Sequence, residues 1–167
     1  GAWRGTWALD GGGALMNQAV HSVDLLVWLM GDVVEINAHT ATLAHKRIEV
    51  EDVAVATLKF KSGALGVIEA STAAYPGYLK RIEVHGSQGT AIMEEEDIKV
   101  WDFANKDRRD AAILKALAGK TKTGGGASDP SAIGHHGHTE QFKDVLNAIK
   151  KGTQPLIDGP EGRKAVE

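Results

Sequence analysis

Residues Gly11 to Gly31, GGGALMNQAVHSVDLLVWLMG, limit what this chain can fold into more than any other stretch. The run predicts one helix, opened by a glycine turn after Asp10 and closed by Gly31, where helices commonly stop. With successive residues about 100° apart, Asn17, His21, Asp24 and Trp28 fall within an arc of about 60°, on spacings of four, three and four. Apolar residues from Leu15 to Met30 cover most of the remaining circumference, interrupted by Gln18 and Ser22. A helix that is apolar nearly all round is a buried helix, and burial makes an unpaired polar stripe costly. Either the stripe is satisfied internally, or it faces a cleft where a ligand or water satisfies it.

Such a helix needs a core to pack on, and 167 residues, 43% of them hydrophobic, suffice for one domain spanning residues 1–167. A formal net charge of -3 is neither basic enough to suggest a nucleic-acid partner nor acidic enough to suggest a tail. There is no cysteine, so a disulfide framework and a thiolate metal site are excluded. No stretch reaches the run of about 18 apolar residues that a membrane span requires, and no basic-then-apolar signal opens the chain. A cytoplasmic location is the expectation, and a start at Gly1 rather than methionine suggests that the natural N-terminus is missing.

Before the helix, Trp3, Arg4 and Trp7 could form a stacking or cation–π surface for a ligand. The alternative is that the tryptophans fill core at a domain edge while Arg4 is solvated. After the helix, residues 33–40 read as a strand, and residues 50–74 as an antiparallel pair turning at Lys61-Ser62-Gly63. His39 and His45 fall in or near the first strand and read as structural. Three short strands come next, around Ile82 and Val84, Ala91 to Met93, and Ile98 to Phe103, with Glu94–Asp97 as a solvated acidic turn. Strands joined by such short turns form a largely antiparallel sheet.

A short helix is expected over 110–118, then a flexible run containing Gly124 to Gly126 and Pro130. Neither glycine triplet, at 11 or at 124, comes after a strand in a nucleotide-binding pattern. A second helix, HHGHTEQFKDVLNAIKKG, carries Phe142, Val145, Leu146 and Ile149 on one face, and a further helix starts near Pro160.

Two groups of residues could carry chemistry. His21 can exchange a proton near neutral pH, Asp24 one turn on could orient its ring, and Asn17 offers both a donor and an acceptor. A histidine satisfied by its neighbours inside the core is the competing reading. His135, His136 and His138 suggest a metal by number, but adjacent residues cannot all point one way and no carboxylate of ligand spacing accompanies them. No metal is expected; His138, at a helix N-terminus, could reach a ligand instead.

Taken in order, WRGTW, DGGGALMNQAVHSVDLLVWLMG, VEDVAVATLKFKSGALGVIEAS, IEVHGSQGTAIM with IKVW, and HTEQFKDVLNAIKKGTQPLIDGPEGRKAVE resemble the C-terminal domain of the Gfo/Idh/MocA family. That is the glucose-fructose oxidoreductase and inositol dehydrogenase group. The resemblance implies an α/β fold of the α+β type, similar to the C-terminal domain of glyceraldehyde-3-phosphate dehydrogenase. It has a large, mostly antiparallel open sheet with helices packed on one face. The other sheet face would form a homodimer or homotetramer. NAD or NADP would be held mainly by an N-terminal Rossmann domain, which this chain lacks and which also carries the catalytic lysine.

The match places the family's histidine, beside the reacting carbon, at His21. One position departs from the pattern: inositol dehydrogenases carry an aspartate four residues before that histidine, and here it is Asn17. An amide cannot take a proton, and the MNQ..H form resembles a subgroup that includes nucleotide-sugar dehydrogenases. The expected function is the substrate domain of an NAD(P)-dependent oxidoreductase that acts by hydride transfer on a sugar, nucleotide-sugar or polyol hydroxyl. His21 or the absent lysine would take the proton, Arg4, Asn17 and His138 would contact substrate, and Asp24 would support the helix, His21 or the substrate. The fragment alone would be inactive. The alternative is a non-catalytic module for sheet-mediated dimerisation or sugar binding.

Overall fold

The computed structural model describes residues 3–119 and 136–167. The chain forms two compact units, one from Gly1–Tyr75 with Glu140–Glu167 and the other from Pro76–Thr139. The run Gly124–Gly126, Pro130 and His135 lie outside the described residues.

The first unit opens with a short helix, α1 (Trp7–Asp10), stopped by Gly11 at φ 78°. A residue with a side chain adopts that left-handed conformation only at a cost, which is why glycine stands there. The chain becomes helical again beside Ala14, passes through a π turn at Leu15–Ala19, and continues as α2 (Val20–Met30). The Gly31 amide donates to the Val27 carbonyl at 2.8 Å and closes it. The helix inferred from periodicity is present, but its first turn is not an α turn. A π turn carries more residues per turn, so it shifts the phase of the residues before it relative to those after it. His21, Asp24 and Trp28 keep their common row; Asn17 enters from the π turn.

The burial expected of α2 is not found. None of its residues is buried, and Trp28 is 72% exposed. An apolar circumference calls for neighbours all round, and among the described residues His21, Asp24 and Trp28 are left exposed.

Three strands come next, β1 (Val33–Ala41), β2 (Val53–Phe60) and β3 (Leu65–Ser71), paired antiparallel in that order. Alternation on β2 buries Ala54, Leu58 and Phe60 while Val55, Thr57 and Lys59 face outward, the pattern of a sheet covered on one face. The β1–β2 loop is organised by Asp52, which is completely buried. Its carboxylate accepts from the amides of Leu43 (2.7 Å), Ala44 (2.9 Å) and His45 (2.9 Å), and contacts His45 Nδ1 at 3.1 Å. These bonds, led by the His45 and Leu43 amides, hold its carboxyl far below the usual range although burial opposes ionisation. His45 is structural, as expected.

The second unit contains β4 (Arg81–Gly86), β5 (Gly89–Glu94) and β6 (Asp97–Phe103), again antiparallel in order. A helix, α3 (Arg108–Leu117), starts two residues earlier than its composition suggests because Asp107 caps it in a reciprocal box with Asp110. Asp110 also accepts from Trp101 Nε1 at 3.0 Å, tying α3 to β6. The acidic turn is not simply solvated. Asp97 is buried, paired with Lys99 Nζ at 2.8 Å and accepting from the Gly119 amide, and Glu95 pairs with Lys80 Nζ at 2.6 Å. Individual partners remove the repulsion that the bare charge count implied.

The chain ends with α4 (His136–Lys151) and α5 (Gly159–Arg163), the latter capped by Asp158, which accepts from the Glu161 amide at 2.9 Å. The fold is of the expected α/β class with antiparallel pairing, but in place of one large open sheet the described strands form two sheets of three, because β3 and β4 do not pair.

Candidate active site

The segment leading to His21 is held by one residue distant in sequence, Glu51, and one nearby, Asp10. The Glu51 carboxylate accepts from the Gly13 amide through Oε2 and from the Leu15 amide through Oε1, both at 3.0 Å, and its carbonyl accepts from the Ala14 amide at 2.9 Å. Donors that every helix leaves unpaired at its start are thereby satisfied, with a negative charge at the positive end of the dipole. The approach is close enough that a Cβ on Gly13 would collide with the Glu51 carbonyl oxygen. Residue type at Gly13 is thus set by a contact 38 positions away.

Asp10 forms the second link. Its Oδ2 accepts from the Gly5 amide at 2.7 Å and its Oδ1 from Asn17 Nδ2 at 3.1 Å. One carboxylate thus ties the Arg4–Gly5 segment to the π turn. With Nδ2 engaged, Asn17 has Oδ1 left to accept a hydrogen bond.

His21 and Asp24 are exposed on α2, and neither side chain hydrogen-bonds or ion-pairs with a described residue. Asp24 therefore does not orient the His21 ring by a direct hydrogen bond. Trp3 and Trp7 are 47% and 58% exposed, and the Arg4 guanidinium lies 5.4 Å from the Trp3 ring centroid. Neither tryptophan is buried within the described residues, and the one cation–π contact among the three is between Arg4 and Trp3. Arg4, Asn17, His21 and Asp24 all belong to the first unit. His138 belongs to the second, exposed in the first turn of α4.

Sequence reasoning missed Glu51 and Asp10. Asp10 carries a faint signal, an acid just ahead of a glycine run that enters a helix. Glu51 carries none, since its partners come from a remote segment.

A glycine run leading into a helix is a common cradle for phosphate. Here the amides of that cradle are occupied by Glu51, whose charge repels a pyrophosphate. This helix start does not fit a dinucleotide, and no part of a cofactor's binding is assigned to it. No group of three or more His, Asp or Glu among the described residues is placed to hold a metal ion, and no described helix is long and apolar enough to cross a membrane.

The chain belongs to the Gfo/Idh/MocA family: its residues 1–92 match the GFO/IDH/MocA C-terminal domain. Over 161 residues, 93% of this chain and 44% of the relative, it is 30% identical to the myo-inositol 2-dehydrogenase of Thermotoga maritima. Among solved structures, the WlbA dehydrogenase of Bordetella pertussis, in complex with NADH and UDP-GlcNAcA, is 36% identical with a TM-score of 0.81. That match covers 98% of this chain and 45% of the other. The WlbA dehydrogenase from Chromobacterium violaceum, with the same two ligands, is 35% identical with a TM-score of 0.79, over 100% of this chain and 44% of that one. The chain thus spans less than half the length of these relatives.

Proposed function

We propose that this chain is the substrate-binding domain of an NAD-dependent oxidoreductase acting on a hydroxyl of a sugar, nucleotide sugar or polyol. The observation that carries the reading is His21: an exposed imidazole without a partner among the described residues, on a helix whose entry is held by Glu51 and Asp10, in a chain of this family. Similarity to proteins crystallised with NADH supports NAD as electron acceptor, bound by residues outside this chain.

Within the chain, the steps are binding and proton transfer. Asn17 Oδ1 accepts from a substrate hydroxyl and fixes the sugar ring. His21 takes the proton of the hydroxyl being oxidised, a task suited to a group that titrates near neutrality. Arg4 supplies a fixed positive charge, which suits an anionic sugar such as the UDP-GlcNAcA present in the WlbA complexes. Asp24, one turn further along α2, supports the helix or the substrate rather than hydrogen-bonding the His21 ring. The outer face of the first sheet interleaves Val55, Leu65 and Val67 with Asn37, Thr57 and Glu69, a mixed surface suited to association with a second copy as a homodimer or homotetramer.

The test is reduction of NAD by the full-length protein, followed at 340 nm, with UDP-GlcNAcA and myo-inositol as probes. His21→Ala is expected to lower kcat by about a hundredfold or more, the usual worth of a general base. Turnover within twofold of the unsubstituted protein would remove His21 from the chemistry. The isolated 167-residue chain is expected to turn over neither probe.

A further inference from the structure

Asp10 and Asn17 form a pair whose chemistry depends on one being an acid and the other an amide. The carboxylate is held on its far side by the Gly5 amide at 2.7 Å, so it cannot rotate away from Asn17 without losing that bond. Asp10 is also the last residue of α1, immediately before the left-handed Gly11, which fixes its backbone. A carboxylate is an acceptor only, so it selects the donating end of the Asn17 amide. We propose that Asp10 is a positioning residue that sets the amide orientation of Asn17, so that the site presents a hydrogen-bond acceptor to the substrate hydroxyl. This rests on the reading of Asn17 as a substrate contact.

The same geometry explains why an amide, not an acid, occupies position 17 in this chain. An aspartate there would place a second carboxylate about 3 Å from Asp10, and two such groups cannot both stay ionised. Asp10 thus determines which of the two residue types the site accepts.

Three substitutions in the full-length protein separate the possibilities. In N17D a second acid faces Asp10, so the site loses both the amide and one ionised carboxylate, with kcat/KM expected to fall about a hundredfold. In D10N, position 10 offers an amide donor, Asn17 turns its Oδ1 inward, and the substrate meets an NH2 group. KM is expected to rise about tenfold with kcat nearly unchanged. In the exchange D10N/N17D, the amide at position 10 accepts from Gly5 and donates to the acid at position 17, so both bonds of position 10 are restored. The exchange is expected to recover at least tenfold in kcat/KM over N17D. If the two substitutions multiply as independent effects, the proposal is overturned.

A readout without turnover keeps this distinct from the proposed function. In protein labelled with 15N at asparagine side chains, the Asn17 signal is identified by its loss in N17D. It is expected to shift upfield and exchange faster with solvent in D10A, while the Asn37 signal is unchanged. An Asn17 signal that does not move overturns the proposal even if the enzyme is active. A shift in an enzyme that turns over no probe supports the pairing and sinks the substrate reading instead.

Discussion

Removing the Glu51 carboxylate tests how the start of the helix that carries His21 is held. In Glu51→Ala, the amides of Gly13 and Leu15 each lose an ionised acceptor at 3.0 Å, while the Ala14 amide keeps the backbone carbonyl of residue 51. A lost helix cap costs about 1 kcal/mol, and the charge at the helix start adds about 0.3–1 kcal/mol. Two such bonds and one charge give about 2–3 kcal/mol for the alanine variant. In a domain of this size about 2–4 °C of melting temperature is lost per kcal/mol, so the transition should fall by about 5–10 °C. Glu51→Gln keeps one acceptor but turns its NH2 group toward an amide donor, and about half the loss is expected. The assay is thermal unfolding by circular dichroism, paired with amide hydrogen exchange. Protection should disappear at Gly13 and Leu15 before any change at the β2–β3 ladder. A melting temperature within a degree of the unsubstituted chain, or unchanged protection at those two amides, would refute the account of the helix start.

The other predictions concern the sheet, the loop and the outer face. Asp52 has its folded-state pKa lowered by the His45, Leu43 and Ala44 amides and the His45 ring, so its contribution is complete above the unfolded value, about 4, and is lost as pH falls below it. Asp52→Asn should accordingly flatten the acid limb of a stability–pH curve, measured as urea midpoints between about pH 2 and pH 7; an acid limb of unchanged steepness would show that Asp52 is not its source. Phe60 is 1% exposed, and Phe60→Ala should cost about 3–5 kcal/mol in urea unfolding, while less than about 1 kcal/mol would mean the site is not core. Val67 is 69% exposed on the outer face of β3; on the proposal that this face joins two copies, Val67→Asp should shift the full-length protein toward monomer in analytical ultracentrifugation. Retention of the original oligomer at all concentrations would exclude this face as the contact.

The limits of reading the sequence come from which interactions are local. The β-strands were legible because alternation is a property of neighbours: Ala54, Leu58 and Phe60 announce a buried face within a single strand. The helix was legible for the same reason, but its π turn was not, because periodicity at 3.6 residues cannot register a single wider turn. Of the polar row only Asn17 lies in that turn, and there it matters, since Asn17 leaves the row of His21 and Asp24 and pairs with Asp10 instead. Burial of α2 was misjudged because hydrophobicity reports what a helix is suited to touch, not what this chain supplies to touch it. The acidic turn failed in the opposite way: four adjacent acids suggest solvent, yet Asp97 and Glu95 are neutralised by Lys99 and Lys80, one chosen by register and the other by a loop. The candidate site shows the same division. His21 stood out from the chain alone as a candidate, with a structural histidine as the competing reading, because an imidazole carries its own proton chemistry; Glu51 and Asp10 act only through amides that folding brings to them. A residue whose function is to hold another has no signature until the partner is in place, and the Asp10–Asn17 pair is where that distinction can be measured.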